Sequence, residues 1–270
     1  MIRQVHQRVL GGTTNPQGGW VSIMPNIVVL VKRVPDTNAR IVVSGDRVDL
    51  SAVKWVISPY DEFAIETALQ HKEAAGGSVT ALTMGPSGSD KILKDAKAIG
   101  VDEIVRVWDD SWSDLDSNSV QSVLAQAITN LGAEVVYCGK ASADTGAGST
   151  GPGVAEHLGW SSVSNIIDAK FDGGITVTSP VETGSAIVSV SGSAVISCDK
   201  GNLKVRKPNV KGIMMAKRAQ VSVVTADAPA STVTIVSQSP PPAKPAGKKY
   251  EGGSSAEEVA KLLREEANVI

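Results

Sequence analysis

The chain has 270 residues, and 42% of them are hydrophobic, which is ample for a sizeable buried core. Its net charge of -2 provides no global field to recruit nucleic acid or a membrane surface. Cys138 and Cys198 lack C-x-x-C partners, and His6, His71 and His157 are scattered, so neither a metal site nor a disulfide framework is signalled. The apolar neighbours of the cysteines predict reduced, buried thiols in a cytoplasmic protein.

Residues 1–23 contain basic side chains but no continuous apolar stretch of signal-peptide type. They read as a disordered extension or an overlong start, because Met24 opens the domain-like MPNIVVLVKRVPD. Ile27–Val31 is a continuous apolar run, too short to cross a bilayer and typical of a buried parallel strand. ARIVVSGDRVDL places two β runs around Ser44-Gly45-Asp46 and predicts a hairpin.

A helix follows in DEFAIETALQHKEA, with Phe63, Ile65, Ala68 and Leu69 near one face and charges on the other. VTALTM, EIVRVW and EVVYCG repeat the strand texture. KILKDAKAIG, ending at Gly100, and SVQSVLAQAITNLG, ending at Gly132, are the helices between them. Strands alternating with helices predict an α/β fold: a Rossmann-like parallel sheet covered on both faces. WDDSWSDLDS carries four aspartates without a fixed calcium-loop pattern and reads as a solvated loop.

CGKASADTGAGSTGPGVAEHLG follows the fourth strand. Gly146, Gly148 and Gly151 fit G-x-G-x-x-G, but the first strand-to-helix turn, KRVPDTN, has no glycine. A dinucleotide fingerprint belongs in that first turn, immediately after its strand. Beside the disfavoured rival, the fingerprint of an NAD-dependent oxidoreductase, two readings remain open for this stretch. It is a flexible surface loop, or it is an anion cradle. In the cradle, Gly146 and Gly148 allow close backbone approach, and Ser149, Thr150 and the helix starting near Gly151 donate to phosphate. There is no Walker lysine.

After Ile166 the runs become short and are split by Gly and Ser, which suggests meander strands appended to the core. KGNLKVRKPNVKGIMMAKRAQ is basic, without the interleaved aromatics of a nucleic-acid surface. One exposed apolar residue among lysines makes a small anchor with electrostatic steering. From about Ala226 the composition is that of a linker. SSAEEVAKLLREEANVI then offers Ser255 and Glu258 as a capping box, and Val259, Leu262 and Leu263 as an apolar stripe. The stripe fits docking on its own domain or on a partner. The organisation read is therefore 1–23 extension, 24–225 α/β domain, which the resemblance below implies to be nucleotide-binding, and 226–270 linker with a terminal helix.

Six segments in order resemble the β subunit of electron-transfer flavoproteins: VLVKRVPD, ISPYDEFAIETAL, VTALTMGP, KAIGVDEIVRV, GKASADTGAGSTGPGVAEHLG and RKPNVKGIMMAKR. The resemblance runs from about Met24 to the C-terminus. It implies an electron carrier without its own turnover, shuttling electrons from acyl-CoA dehydrogenases or similar donors to a respiratory acceptor. It also implies an α subunit that holds most of the shared FAD and is embraced by the C-terminal arm. The β subunit of such a pair buries a structural AMP. Matching positions imply contacts from Leu30 and Val31, from Ser58, Pro59, Tyr60 and Asp61, from Met84, and from Gly139, Lys140, Ala141, Asp144, Gly146, Gly148, Ser149 and Thr150. The resemblance implies a recognition loop at Arg206, Val210, Ile213 and Met214, although the family's usual leucine is Val210 here and the next proline is Lys211. Many AMP-binding relatives have an acidic run and an Asn-Gln pair in the loop, and electron-bifurcating relatives with a second FAD have an Asp-Gly-Asp-Thr type. Asp144 followed by Thr145-Gly146-Ala147-Gly148 matches neither. AMP is the favoured nucleotide, with a second FAD or a stand-alone adenine-nucleotide sensor as alternatives.

Overall fold

In the computed structural model, which describes residues 24–112, 114–244 and 246–270, the first strand is buried on both sides. β1 (Asn26–Leu30) sends Ile27 and Val29 into one apolar cluster and Val28 and Leu30 into another. Such a strand has no solvated face, which explains its unbroken apolar run. β2 (Arg33–Pro35) pairs antiparallel with β5 (Trp55–Ile57). β3 (Val42–Ser44) and β4 (Arg47–Asp49) form the predicted hairpin, turning at Gly45 with φ +62°.

α1 (Pro59–Ala75), β6 (Ser78–Met84), α2 (Asp90–Ile99), β7 (Glu103–Val107), α3 (Ser117–Asn130), β8 (Val135–Gly139) and α4 (Thr150–Leu158) continue the alternation. α1 and α2 cover one face of the sheet through Ile65, Leu69, Ile92 and Leu93. α3 and α4 cover the other through Val123, Leu124, Ile128 and Val154.

The later strands differ in part from the meander expected from sequence. β10 (Asp168–Lys170), β11 (Ile175–Val181) and β12 (Gly184–Val190) do form an antiparallel sheet. β9 (Ser161–Ile166) and β13 (Ala194–Cys198) instead join the parallel core, and β13 lies between β8 and β9. All five residues of β13 are buried, so its short apolar run reflects burial on two faces, as in β1. α5 (Val210–Arg218) and β14 (Ser222–Val224) follow, and α6 (Ala256–Glu265) closes the chain. The seven-stranded sheet has the order β14-β7-β6-β1-β8-β13-β9, with every adjacent pair parallel.

From β1 the chain moves outward through β6 to β7, then α3 carries it back to β8 on the other flank of β1. Strand order therefore reverses between β1 and β8. Helices leave toward opposite faces there, and a crevice opens at the carboxyl ends.

The second face of α1 is polar but not solvated. Glu66 is 3% exposed, and Arg206 covers it with its backbone N–H at 3.1 Å, Nε at 2.8 Å and Nη2 at 2.9 Å. Burial pushes the Glu66 carboxyl up, but these hydrogen bonds win and hold it below its ordinary range. The capping box at α6 is absent. Ser255 lies in the αR region, and its hydroxyl donates to the Glu251 carbonyl at 2.9 Å, because a 3₁₀ turn over Gly253–Ser255 precedes the helix. The reading of residues 1–23 lies outside the described residues.

His71 sits beneath the sheet, stacked on Phe171 with ring centroids 4.4 Å apart, and its Nδ1 lies 3.1 Å from the Tyr137 hydroxyl. Burial pulls its pKa down from 6.5 to about 4. The folded state thus resists protonation where the unfolded chain accepts it. Stability from the neutral ring is complete above pH 6.5 and falls as pH drops toward 4, by roughly 3 kcal/mol in all. Imidazole NMR shifts should show His71 neutral down to about pH 4. Titration of that ring near 6.5 would contradict the burial argument.

Candidate functional site

The crevice is built on one carboxylate. Asp61, in the first turn of α1, is 7% exposed, and it accepts the backbone N–H of Lys32 at 2.7 Å and of Gly139 at 3.0 Å. Those donors sit just beyond β1 and at the end of β8. Burial pushes Asp61 up to about 7, against the pull of both N–H groups and the Lys32 charge. Gly139 has no room for a side chain: a Cβ there would meet Asp61 and lie 2.8 Å from the Tyr60 Cβ.

The segment after β8 closes one side. Lys32 Nζ bonds Asp144 at 2.8 Å and Ser142 at 3.2 Å, so the loop is tied to the end of β1. Gly146 and Gly148 take φ of +63° and +65°, where side chains are strained, and together they turn the chain toward α4. Gln121 of α3 donates to the Ser149 carbonyl at 3.0 Å. Gly151 lets α4 approach the sheet, since a Cβ there would lie 2.8 Å from the Cys138 sulfur. The first turn of α4 faces the crevice with the donor groups a helix start leaves free.

The result is a cleft of about 390 Å³. Leu30, Leu82, Met84, Val120 and Leu124 give it an apolar floor. Trp108 and Trp112 form one wall, edge to face with centroids 5.9 Å apart. Gly148, Ser149 and Thr150, with Lys32 and Lys140, form a polar end.

Of the residues marked from sequence, Leu30, Val31, Asp61, Met84, Gly139, Lys140 and Ala141 line this cleft, as do Gly148, Ser149 and Thr150. Ser58, Pro59, Tyr60, Asp144 and Gly146 do not line it. Ser58 is fully buried and accepts the Ala143 N–H at 3.3 Å, while the Tyr60 ring carries Lys140 Nζ at 4.8 Å. The solvated reading of WDDSWSDLDS misses its tryptophans and Leu115, which line the cleft, with the exposed Asp114 at its rim. Two tryptophans in a chain with 4% aromatic residues were the available signal. Lys32 was also missed, because the ion pair that fixes it spans 112 residues.

A family model described as the electron transfer flavoprotein domain matches residues 47–229. Proteins called electron transfer flavoprotein subunit beta are similar over most of the chain. The Bacillus subtilis protein is 30% identical, covering 91% of this chain and all of its own length. That of Syntrophomonas wolfei is 35% identical over 83% of this chain and 89% of its own, and that of Mycobacterium bovis 34% over 86% and 96%. The chain belongs to the electron transfer flavoprotein β-subunit family.

Its basic segment departs from the loop that the family resemblance implied. Val210 opens helix α5, and Asn209 caps it by accepting the Gly212 N–H at 2.8 Å. Gly212 and Ala216, one turn apart, seat α5 on α2 against the Ala98 carbonyl. Ile213 and Met214 are exposed, and Val210 is the most exposed of them at 75%. Arg206 is not free on this surface, because Glu66 and Glu73 engage it. Among the described residues no cluster of His, Cys, Asp and Glu could hold a metal, and no helix is long and apolar enough to cross a membrane.

Two glycine substitutions separate steric from conformational demand. Gly139→Ala should destabilise the protein by about 1–3 kcal/mol through overpacking against Asp61. Gly146→Ala meets no atom within 4 Å and should cost only the left-handed strain of about 1–2 kcal/mol. Urea unfolding read by circular dichroism checks both. A Gly139→Ala protein as stable as the wild type would show that the Asp61 approach is slack.

Proposed function

We propose that the chain is the β subunit of a two-subunit electron transfer flavoprotein. It works as a carrier component for dehydrogenases such as those of acyl-CoA and holds AMP in the cleft at the sheet's carboxyl edge. The observation that carries this reading is the division of that cleft into an apolar, aromatic floor and wall and an end of backbone and hydroxyl donors.

The residues present fit a mononucleotide. At about 390 Å³ the cleft lies near the small end of ligand pockets, which favours AMP over a second FAD. Lys32 and Lys140 are already paired with Asp144 and Asp199, at 2.8 and 2.9 Å. Local charge is therefore nearly balanced, and directed donors of Gly148, Ser149, Thr150 and the α4 terminus would select the phosphate. FAD, when bound between the subunits, supplies the redox chemistry; this chain's part is to shape and support that site. The shared name of the relatives, a β subunit, supports a separate partner.

Two incompletely covered apolar stripes support the same reading. Among the described residues of α6 none is buried, although Val259, Leu262 and Leu263 are apolar. A helix with no buried face gains stability only by packing on something else. Val210, Ile213 and Met214, flanked by Lys211 and Lys217, form an apolar tip suited to a donor enzyme.

Denaturing release of ligands from the co-expressed heterodimer, followed by mass spectrometry, should give one FAD and one AMP. Two FAD would place the chain with the bifurcating relatives, and no nucleotide beyond one FAD would defeat the AMP assignment. Deleting the residues after Ala243 should leave the α/β core folded but reduce co-purification of the α subunit. Unchanged co-purification would remove the arm from the interface.

A further inference from the structure

The connection from β7 to α3 has two working faces. Its inner face supplies Trp108, Trp112 and Leu115 to the cleft. Trp108 is oriented from outside, by its indole N–H bonded to Asp110 at 2.9 Å, which leaves the ring face to the cleft. Its outer face is bound to the arm that begins after β14. Asp116 caps α3 with one carboxylate oxygen, accepting the Ser119 N–H at 2.9 Å. The other oxygen accepts the N–H of Thr232 at 2.6 Å, the Thr232 hydroxyl at 3.0 Å and the N–H of Val233 at 3.2 Å. Ser231 completes the contact: its oxygen accepts the Asp116 N–H at 3.0 Å, and its hydroxyl reaches the Asp114 carbonyl at 3.4 Å. Further along α3, Gln126 and Asp227 exchange a reciprocal pair of bonds at 2.7 and 3.0 Å.

One short loop is therefore shared by the nucleotide cleft and the arm. Its described residues are otherwise held by a turn at Asp109, whose carbonyl accepts the Trp112 N–H at 3.0 Å, and by an Arg47–Asp114 ion pair at 3.8 Å. The arm contacts bind the Asp114 carbonyl and the N–H and carboxylate of Asp116, two and four residues beyond Trp112 in the same loop. Immediately beyond, Val233, Ile235 and Val236 are exposed at 67%, 53% and 88%.

We propose that Trp108 and Trp112 recognise the base of the bound nucleotide and that Ser231 and Thr232 act as positioning residues for this wall, coupling arm placement to base binding. The proposal rests on the assignment of the cleft to AMP. The tryptophans would select for a planar aromatic base by stacking, and the glycine loop would take the phosphate independently. The coupling is reciprocal: whatever the arm adds to base affinity, the base returns to the order of the arm.

The full heterodimer, stripped of nucleotide, is titrated calorimetrically with AMP and with ribose 5-phosphate. Trp112→Leu should weaken AMP about tenfold or more, in line with base–aromatic stacking, and leave the weaker ribose 5-phosphate unchanged. The double variant Ser231→Ala, Thr232→Val replaces no lining residue and keeps the Asp116 cap on α3. It should weaken AMP roughly three- to tenfold, the effect of one or two hydrogen bonds, again without effect on ribose 5-phosphate. Hydrogen exchange at Thr232 and Val233 should slow when wild-type protein binds AMP. Unchanged AMP affinity in Trp112→Leu overturns the base wall. Unchanged affinity in the double variant, or equal loss of both ligands, overturns the coupling. A wild type that binds ribose 5-phosphate as well as AMP overturns base recognition while leaving a phosphate site. A wild type that binds neither overturns the assignment of the cleft itself.

Discussion

The bond on which the structure depends is the one from Asp61 to the ends of two strands. β1 and β8 run side by side, and at their carboxyl ends the backbone N–H groups of Lys32 and Gly139 have no further strand partner. The Asp61 carboxyl receives both. It comes from the first turn of α1, where free N–H groups and the helix dipole favour a negative charge. Burial opposes that charge, and the pKa near 7 is the balance of the two. The sheet, a helix start and the mouth of the cleft are fixed by one residue. Gly139 follows as a requirement, since any side chain there would occupy the place of Asp61.

Around this point the cleft is assembled from parts distant in sequence. Lys32 reaches across to Asp144 and ties down the glycine loop. Gln121 holds the carbonyl of Ser149 and so sets where α4 begins. The β7–α3 connection supplies the wall, and the arm braces it from behind through Asp116. The N–H groups of Ser119 and Thr232 hold that carboxyl far below its ordinary range and outweigh the smaller upward push of burial. It remains a charged acceptor throughout physiological pH, which suits a permanent brace rather than a switch.

A second anchor sits on the opposite face of α1. Glu66 would be a costly buried charge without Arg206, and Arg206 would be a mobile surface side chain without Glu66 and Glu73. Paired, they fix the segment that leads into α5. α5 then uses only its small residues, Gly212 and Ala216, against α2, and its larger apolar side chains are left facing out. Stable internal placement and an exposed recognition tip are products of the same division of faces.

The sequence determined the alternating strands and helices, because a strand buried on two faces needs an unbroken apolar run and a covering helix needs a 3.6-residue period. It also located the glycine loop and the family, whose motifs are local and ordered. It could not place β13 inside the parallel sheet, since a five-residue apolar run looks the same at the centre of a sheet and in a meander. It put Ser255 and Glu258 in a capping box that a 3₁₀ turn displaces. It read WDDSWSDLDS as solvated, because aspartates dominate its composition while the two tryptophans that face the cleft are few. Lys32–Asp144, Glu66–Arg206 and Asp116–Thr232 join residues 112, 140 and 116 positions apart. No local pattern encodes such pairs. Only the path of the chain through the sheet brings them within hydrogen-bonding distance, and that path decided which charged residues became the frame of the cleft.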